Sequence, residues 1–281
     1  MLRIREMRPA DIPFAIRLTS LEGWGIPARD FRRMLGLDAR GSCVAIEGSE
    51  RVGLATTTHY GRRVGWIGNV VVKRRYRQRH IGQQLVDHAV NHLSKVRVKH
   101  IALYSFKENL QFYRKLGFVP GNRFLRLRRE SQPSNPITSE SSPKPLPLSS
   151  PLAMDRKAFG ADRARLITAL LCGGYAWCLG YRAGHSASYV VVKNYKDMNE
   201  IGPWISFGLS SGELSSQLQL IIGKSGRKPI EITCPLTSSL PKILKSHRFH
   251  AINEGRVMFY ERVARIGQPR AIVAYGFLDK G

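Results

Sequence analysis

Residues 66–85 read Trp66-Ile67-Gly68-Asn69-Val70-Val71-Val72, then Lys73-Arg74-Arg75-Tyr76-Arg77-Gln78-Arg79-His80, then Ile81-Gly82-Gln83-Gln84-Leu85. The chemistry that this spacing suits is anion binding. The apolar, β-branched run has the composition of a strand, and apolar residues at Ile81, Leu85, Val86 and Val90 recur at helical spacing. A helix that opens at the end of a strand turns unpaired backbone N–H groups and the positive end of its dipole toward the connecting loop. Gly82 allows the backbone close to an anion, and Arg77 and Arg79 add positive charge. The expected ligand is a phosphate or pyrophosphate, although a basic turn opening a helix is common and one glycine alone is a weak signal.

Downstream, a second strand-like run Ile101-Ala102-Leu103-Tyr104 precedes Asn109-Leu110-Gln111-Phe112-Tyr113-Arg114-Lys115-Leu116-Gly117-Phe118. Together the two segments resemble the signature of the GNAT superfamily of acyl-CoA N-acyltransferases, whose phosphate loop reads Arg/Gln-x-x-Gly-x-Gly/Ala and whose later helix ends in Phe-Tyr-x-Lys-Leu-Gly-Phe. Arg77 matches the first loop position and Gly82 the last, while His80 stands where the family usually has glycine. If that position needs φ > 0, histidine is more costly there than glycine. The resemblance implies that 77–83, namely Arg77, Gln78, Arg79, His80, Ile81, Gly82 and Gln83, hold the phosphates of acetyl-CoA as acyl donor. It also implies that backbone groups of Asn69, Val70, Val71 and Val72 pair with the pantetheine arm as an added strand would, and that a backbone N–H there polarises the acyl carbonyl.

Transfer to an amine requires two proton movements. The acceptor nitrogen, whose free pKa is about 10, must lose a proton, and the departing thiolate, whose parent thiol has a pKa of about 8.5, must gain one. Tyr113 occupies the tyrosine position that in this superfamily points at the CoA sulfur, so the resemblance makes it the acid. The other reading is an amphipathic-helix residue with its ring buried and its hydroxyl at the surface. The base is open. In some family members a carboxylate at the head of the first strand does this work, but here that place holds Gly68 and Asn69. Glu22, His59 and a water chain are the candidates. His59 ends a strand, where a lone histidine is commonly a plain surface residue. Trp24, in the loop Glu22-Gly23-Trp24-Gly25-Ile26-Pro27, either lines the acceptor pocket or anchors two helices to the sheet.

The elements that would carry these residues follow from pattern. Residues 2–7 alternate as an edge strand, Arg8-Pro9-Ala10-Asp11 starts a helix over 12–21, and a short helix follows near 30–35. Strands at 42–47 and 52–60 form an antiparallel meander feeding the strand before the basic loop. A helix over 81–93 crosses back to a strand at 101–104 beside it, and 118–128 is a strand. The first unit, 1–129, is the one that the resemblance makes the catalytic N-acetyltransferase domain.

From 130 to 152 the composition turns to Ser, Pro, Asn and Lys, which cannot bury a core and reads as a linker. Residues 153–281 repeat the alternation, with a helix near 161–171, strands near 175–181, 188–192 and 201–206, a helix near 212–222, a strand at 230–234 and a last helix near 239–246. Laying Phe249 on Phe118 puts Leu244 on Tyr113 and Arg248 on Gly117, so the second copy lacks the acid, and Gly208-Leu209-Ser210-Ser211-Gly212 is no phosphate loop. The order resembles tandem acetyltransferases in which a divergent GNAT-like domain, here non-catalytic, follows a typical one. The elements that carry this are Ala10-Asp11-Ile12-Pro13-Phe14, Gly23-Trp24, Phe159-Gly160-Ala161-Asp162-Arg163, Ile201-Gly202-Pro203 and Ala274-Tyr275-Gly276. The fold class expected is α/β (α+β), two domains each with a mixed, mostly antiparallel twisted sheet flanked by helices. The second domain either closes the acceptor pocket of the first or stabilises it.

Composition bounds the rest. The chain has 281 residues, 43% of them hydrophobic, enough for two packed cores. Its four cysteines show no metal or redox spacing, the start lacks an apolar signal core, and no run of about 20 apolar residues could span a bilayer, so a cytoplasmic protein without membrane contact is expected. No metal is expected: His247 and His250 lack converging ligands. The net charge of +25 attracts polyanions generally, either as a trait of the host proteome or through contact with nucleic acid or the ribosome. The partner expected is an amine, on a small molecule or a protein, with the chain a monomer or homodimer. The competing function is a catalytically inactive basic GNAT-fold protein that binds RNA or the ribosome.

Overall fold

β-branched and aromatic residues recur where the first strands form. In the computed structural model, which describes residues 1–131, 147–276 and 278–281, β1 (Leu2–Glu6), β2 (Cys43–Glu47), β3 (Glu50–Tyr60) and β4 (Val64–Val72) lie side by side, all antiparallel. β5 (His100–Phe106) pairs with β4 in parallel. A parallel neighbour needs a crossover, and α3 (Ile81–Lys95) provides it, burying Ile81, Leu85, Val86, Ala89, Val90 and Leu93 as one stripe against the sheet. α1 (Ile12–Ser20) and α2 (Ala28–Leu37) cover the other face through Phe14, Leu18, Phe31 and Met34. Ahead of α1, the buried Asp11 accepts from Arg5, Arg51 and the Arg8 amide, which ties the turn to β1 and β3. α4 (Leu110–Lys115) leads into β6 (Phe118–Arg129).

The second half opens with α5 (Ser149–Phe159) and α6 (Ala164–Cys172), followed by β7 (Ala176–Ala183), β8 (Ser186–Asn194) and β9 (Asn199–Phe207). After α7 (Ser211–Lys224) come β10 (Ile230–Pro235), α8 (Leu240–Ser246), β11 (His250–Tyr260) and β12 (Ile272–Ala274). Residues 132–146, within the expected linker, lie outside the described residues. The end of that segment is corrected: Ser149-Ser150-Pro151 begins a helix. Proline is tolerated in a first helical turn, where its missing N–H would have had no partner anyway. β11 and β12 were not legible, since both are strands only by virtue of distant partners.

The two halves share one sheet, in the order β1-β2-β3-β4-β5-β11-β6-β10-β9-β8-β7, with β12 added on β9. Each half gives its last long strand to the other. β11 runs antiparallel to β5, β6 runs antiparallel to β10, and the two exchanged strands pair with each other at the centre. The repeat is visible in backbone detail. Gly117 and Arg248, aligned by laying Phe249 on Phe118, both have left-handed φ, +84° and +64°. An aromatic cluster from both halves fills the junction: Trp66 and Tyr104 have ring centroids 4.7 Å apart, and Tyr275 stacks 5.0 Å from Tyr104. Among the described residues no helix is long and apolar enough to cross a membrane.

Candidate active site

β4 and β5 are paired only from Val64↔His100 to Trp66↔Ala102, although β4 continues to Val72 and β5 to Phe106. Beyond Trp66 the strands diverge and leave one backbone edge of residues 67–72 unpaired. A bulge enforces this: Leu54 faces Val71 and Thr56 faces Gly68, so Asn69 and Val70 together oppose Ala55, and Asn69 takes φ +51°. Its side-chain amide donates to Thr56 Oγ1 at 3.0 Å, which locks the bulge.

The cleft opens into a cavity of about 460 Å³ lined by both halves. Ile67, Gly68, Asn69 and Val70 form its floor, and Tyr104, Asn109 and Tyr113 lie toward the α4 side. Trp24, 41% exposed, lines it from the α1–α2 loop, consistent with the pocket-lining alternative for that residue. Lys193, residues 195–198, Glu200, Glu231 and 278–280 close it from the second half. Burial pushes the Tyr113 hydroxyl well above the ordinary phenol range, so it keeps its proton at neutral pH.

The basic loop ends at the N-terminus of α3, where Ile81, Gly82 and Gln83 have no helical carbonyl to donate to; the first such bond runs from the Gln84 N–H to the His80 carbonyl. His80 has φ +57° and Gln78 φ +62°, so this loop does demand the left-handed conformation where the family usually places glycine. Gly82 has no left-handed φ, and a Cβ there would meet the Phe112 ring in an ordinary contact at 3.4 Å. The arginine side chains do not project freely. Arg77 donates to Glu22 at 2.6 Å and to the Val72 carbonyl at 3.0 Å, and Arg79 pairs with Glu47 at 2.6 Å. Both were expected to add charge for an anion, and their ion pairs also pin the loop's shape.

Two sequence candidates for the base are placed elsewhere. Glu22 is held in ion pairs by Arg74 and Arg77. His59 sits at the far end of β3 with its Nδ1 3.2 Å from the Gly61 carbonyl, and it does not line the cavity.

The second half repeats the bulge and not the cleft. Val190 faces Trp204 and Val192 faces Ile201, so Gly202 and Pro203 are the counterparts of Asn69 and Val70. Here the space between β9 and β10 is filled by the chain itself. β12 pairs antiparallel with β9, and the Tyr275 N–H donates to the Thr233 carbonyl at 2.8 Å on β10. A Cβ on Gly202 would lie 2.9 Å from the Tyr275 carbonyl carbon and closer still to its oxygen. Leu244, in the place of Tyr113, is fully buried and has no proton to give.

Residues 278–280 had no functional signal in the sequence. Asp279 reaches the bulge from the far end of the chain, accepting from the Asn69 amide at 3.3 Å. Burial opposes its charge, but Lys280, Asn69 and Lys193 outweigh that and hold its carboxyl below the ordinary range. The segment is anchored where Tyr60 donates to the Lys280 carbonyl at 2.7 Å and Arg163 donates to the Gly281 carbonyl.

The family model for the acetyltransferase (GNAT) family matches residues 13–118. Among solved structures, a candidate acetyltransferase from Pyrococcus horikoshii superposes with a TM-score of 0.81 at 21% identity, covering 100% of this chain and 96% of that one. A GCN5-related N-acetyltransferase from Sphaerobacter thermophilus gives 0.69 at 13%, covering 96% and 98%. A tandem GNAT protein of the clavulanic acid biosynthesis pathway gives 0.64 at 12%, covering 94% and 100%. At these identities the likeness establishes the fold. No curated protein sequence matches.

Proposed function

We propose that this chain, which belongs through residues 13–118 to the acetyltransferase (GNAT) family, is an acetyl-CoA-dependent N-acetyltransferase acting on a primary amine of a small molecule or protein. The observation that carries this is the unpaired edge of β4 beside Tyr113 in a single cavity. An extended pantetheine arm fits such an edge, with Val70, Val71 and Val72 as its strand partners. The free amides at the start of α3 suit a pyrophosphate, with residues 77–83 shaping the turn around it.

In the reaction the neutral amine attacks the thioester carbonyl directly, a backbone N–H at the bulge steadies the developing oxyanion, and Tyr113 protonates the leaving thiolate. Residues 1–129 are the catalytic unit and 153–281 a non-catalytic partner that closes the acceptor side. β12 in the second cleft and Leu244 in place of the acid support that division. A cytoplasmic setting belongs to the same reading, and all four cysteines are free.

The test is calorimetric titration of acetyl-CoA into the full chain at near-physiological salt. One site is expected, with Tyr113→Phe binding equally well and turning over about 100-fold more slowly. The full chain is required, because truncation at Arg129 would remove β11 from between β5 and β6. No acetyl-CoA binding, together with RNA binding of steep salt dependence, would replace the enzyme by a basic RNA-binding protein.

A further inference from the structure

We infer that Asp279, supplied by the second half, is the proton acceptor for the amine substrate of the site in the first half. This rests on the acetyltransferase reading above. The carboxylate lies at the β4 bulge, 3.3 Å from the Asn69 amide, and shares one cavity with Tyr113. Glu22 and His59 are held away from that cavity or committed to arginines, and the head of β4 carries no carboxylate of its own. Of the other carboxylates on the cavity wall, Asp30 is paired with Arg33, Glu200 with Lys193 and Glu231 with Arg126 and Arg128, and Asp197 lines it as well; Asp279 is paired too, with Lys280, but it is the one that accepts from Asn69 at the β4 bulge.

The position of Asp279 is built. Gly68 has no side chain, and a Cβ there would lie 2.7 Å from the Asp279 Cα and closer to its carbonyl oxygen. The backbone just after Asp279 is held at the Lys280 carbonyl by Tyr60 and at the Gly281 carbonyl by Arg163, the latter itself locked to buried Asp155 at 2.6 Å. The charged and titratable groups that face Asp279 are Lys280 and Lys193, with the phenols of Tyr60 and Tyr195 nearby. The two lysines keep it ionised, and they leave it too weak a base to strip a free ammonium. It acts later in the sequence. When the amine lone pair forms the C–N bond, the nitrogen becomes positive and its N–H strongly acidic. Asp279 takes that proton, the C–S bond breaks, Tyr113 gives its proton to sulfur, and both side chains re-equilibrate with water. The acceptor therefore enters between Trp24 and Asp279, opposite the donor.

The experiment compares the natural full chain with Asp279→Asn, Asp279→Glu and Asp279→Ala. Acetyl-CoA binding is followed by calorimetry, and CoA release is followed with free lysine, a lysyl peptide and glucosamine as probe amines. Asp279→Asn is expected to bind acetyl-CoA as the natural chain does and to lose about 100-fold or more in kcat. Asp279→Glu should recover part of the rate, and added formate should rescue Asp279→Ala, which a purely structural role would not allow. Unchanged kcat in Asp279→Asn, or loss without formate rescue in a variant that still binds acetyl-CoA, would overturn the assignment. Absence of acetyl-CoA binding by the natural chain would instead overturn the acetyltransferase reading beneath it.

Discussion

Gly68→Ala offers a sharp test of the route by which residues 278–281 reach the first half. Gly68 lies in β4 with ordinary strand φ, so alanine costs nothing in backbone conformation there, and strand interiors favour it. The added methyl would meet the Asp279 backbone at 2.7 Å and 2.8 Å from its Cα and carbonyl carbon. Backbone on both sides cannot swing aside as a side chain would, so the segment must shift out. Overpacking of this kind costs about 1–3 kcal/mol. The shift also strains the bonds from Tyr60 to the Lys280 carbonyl and from Asn69 to Asp279, each worth about 1 kcal/mol net. A total near 3 kcal/mol lowers Tm by about 6–12 °C in a chain of this size. The assay is thermal unfolding by circular dichroism, with Gly36→Ala as control. Gly36 lies inside α2 with nothing within 4 Å of its Cβ position, so alanine there should gain about 0.5–1 kcal/mol. A Gly68→Ala protein that melts with the natural one would refute the packing of this segment against β4.

Further outcomes follow from other residues. His80→Gly relieves a left-handed φ of +57° and should raise Tm by a few degrees, about 0.5–1 kcal/mol, without loss of acetyl-CoA affinity; a lower Tm would show that the histidine side chain stabilises the loop. Asp38 is buried, which opposes its charge, yet hydrogen bonds from His92 at 3.0 Å and Thr57 at 2.6 Å lower its carboxyl pKa. A depressed folded pKa contributes stability that is whole above the unfolded value of about 4 and is lost as pH falls through the folded value. Urea midpoints measured from pH 7 to pH 2 should therefore fall less steeply in Asp38→Asn, and parallel curves would contradict it. Arg163→Met leaves Asp155 buried and without its guanidinium partner, and should cost about 3–5 kcal/mol by equilibrium unfolding in urea. Replacement of the pair together, Asp155→Leu with Arg163→Met, should recover much of that loss.

What could be read from the sequence was local. The strand, basic loop and helix at 66–85 are encoded by β-branched composition, a run of cations and a helical apolar stripe, all within twenty residues of one another. The left-handed demand at His80 followed from one glycine position. The second half's departures from the first half's motif, at Leu244 and Arg248, were visible too, since a missing hydroxyl and a missing glycine need no coordinates to notice. The tertiary structure decided everything that depends on pairing between distant segments. β11 becomes the partner of β5 and β6 only because the two halves exchange strands, and β12 closes the second cleft because β9 and β10 happen to leave it open. Ion pairing has the same character: the sequence shows Arg77 and Arg79 as cations of the loop, but that Glu22 and Glu47, from other elements, pair with them is visible only in the fold. Asp279 is the extreme case, 210 positions from Asn69 in sequence and in hydrogen-bonding reach of it in space. Periodicity records which face of an element is buried, but which remote chain covers that face is settled only when the whole sheet assembles.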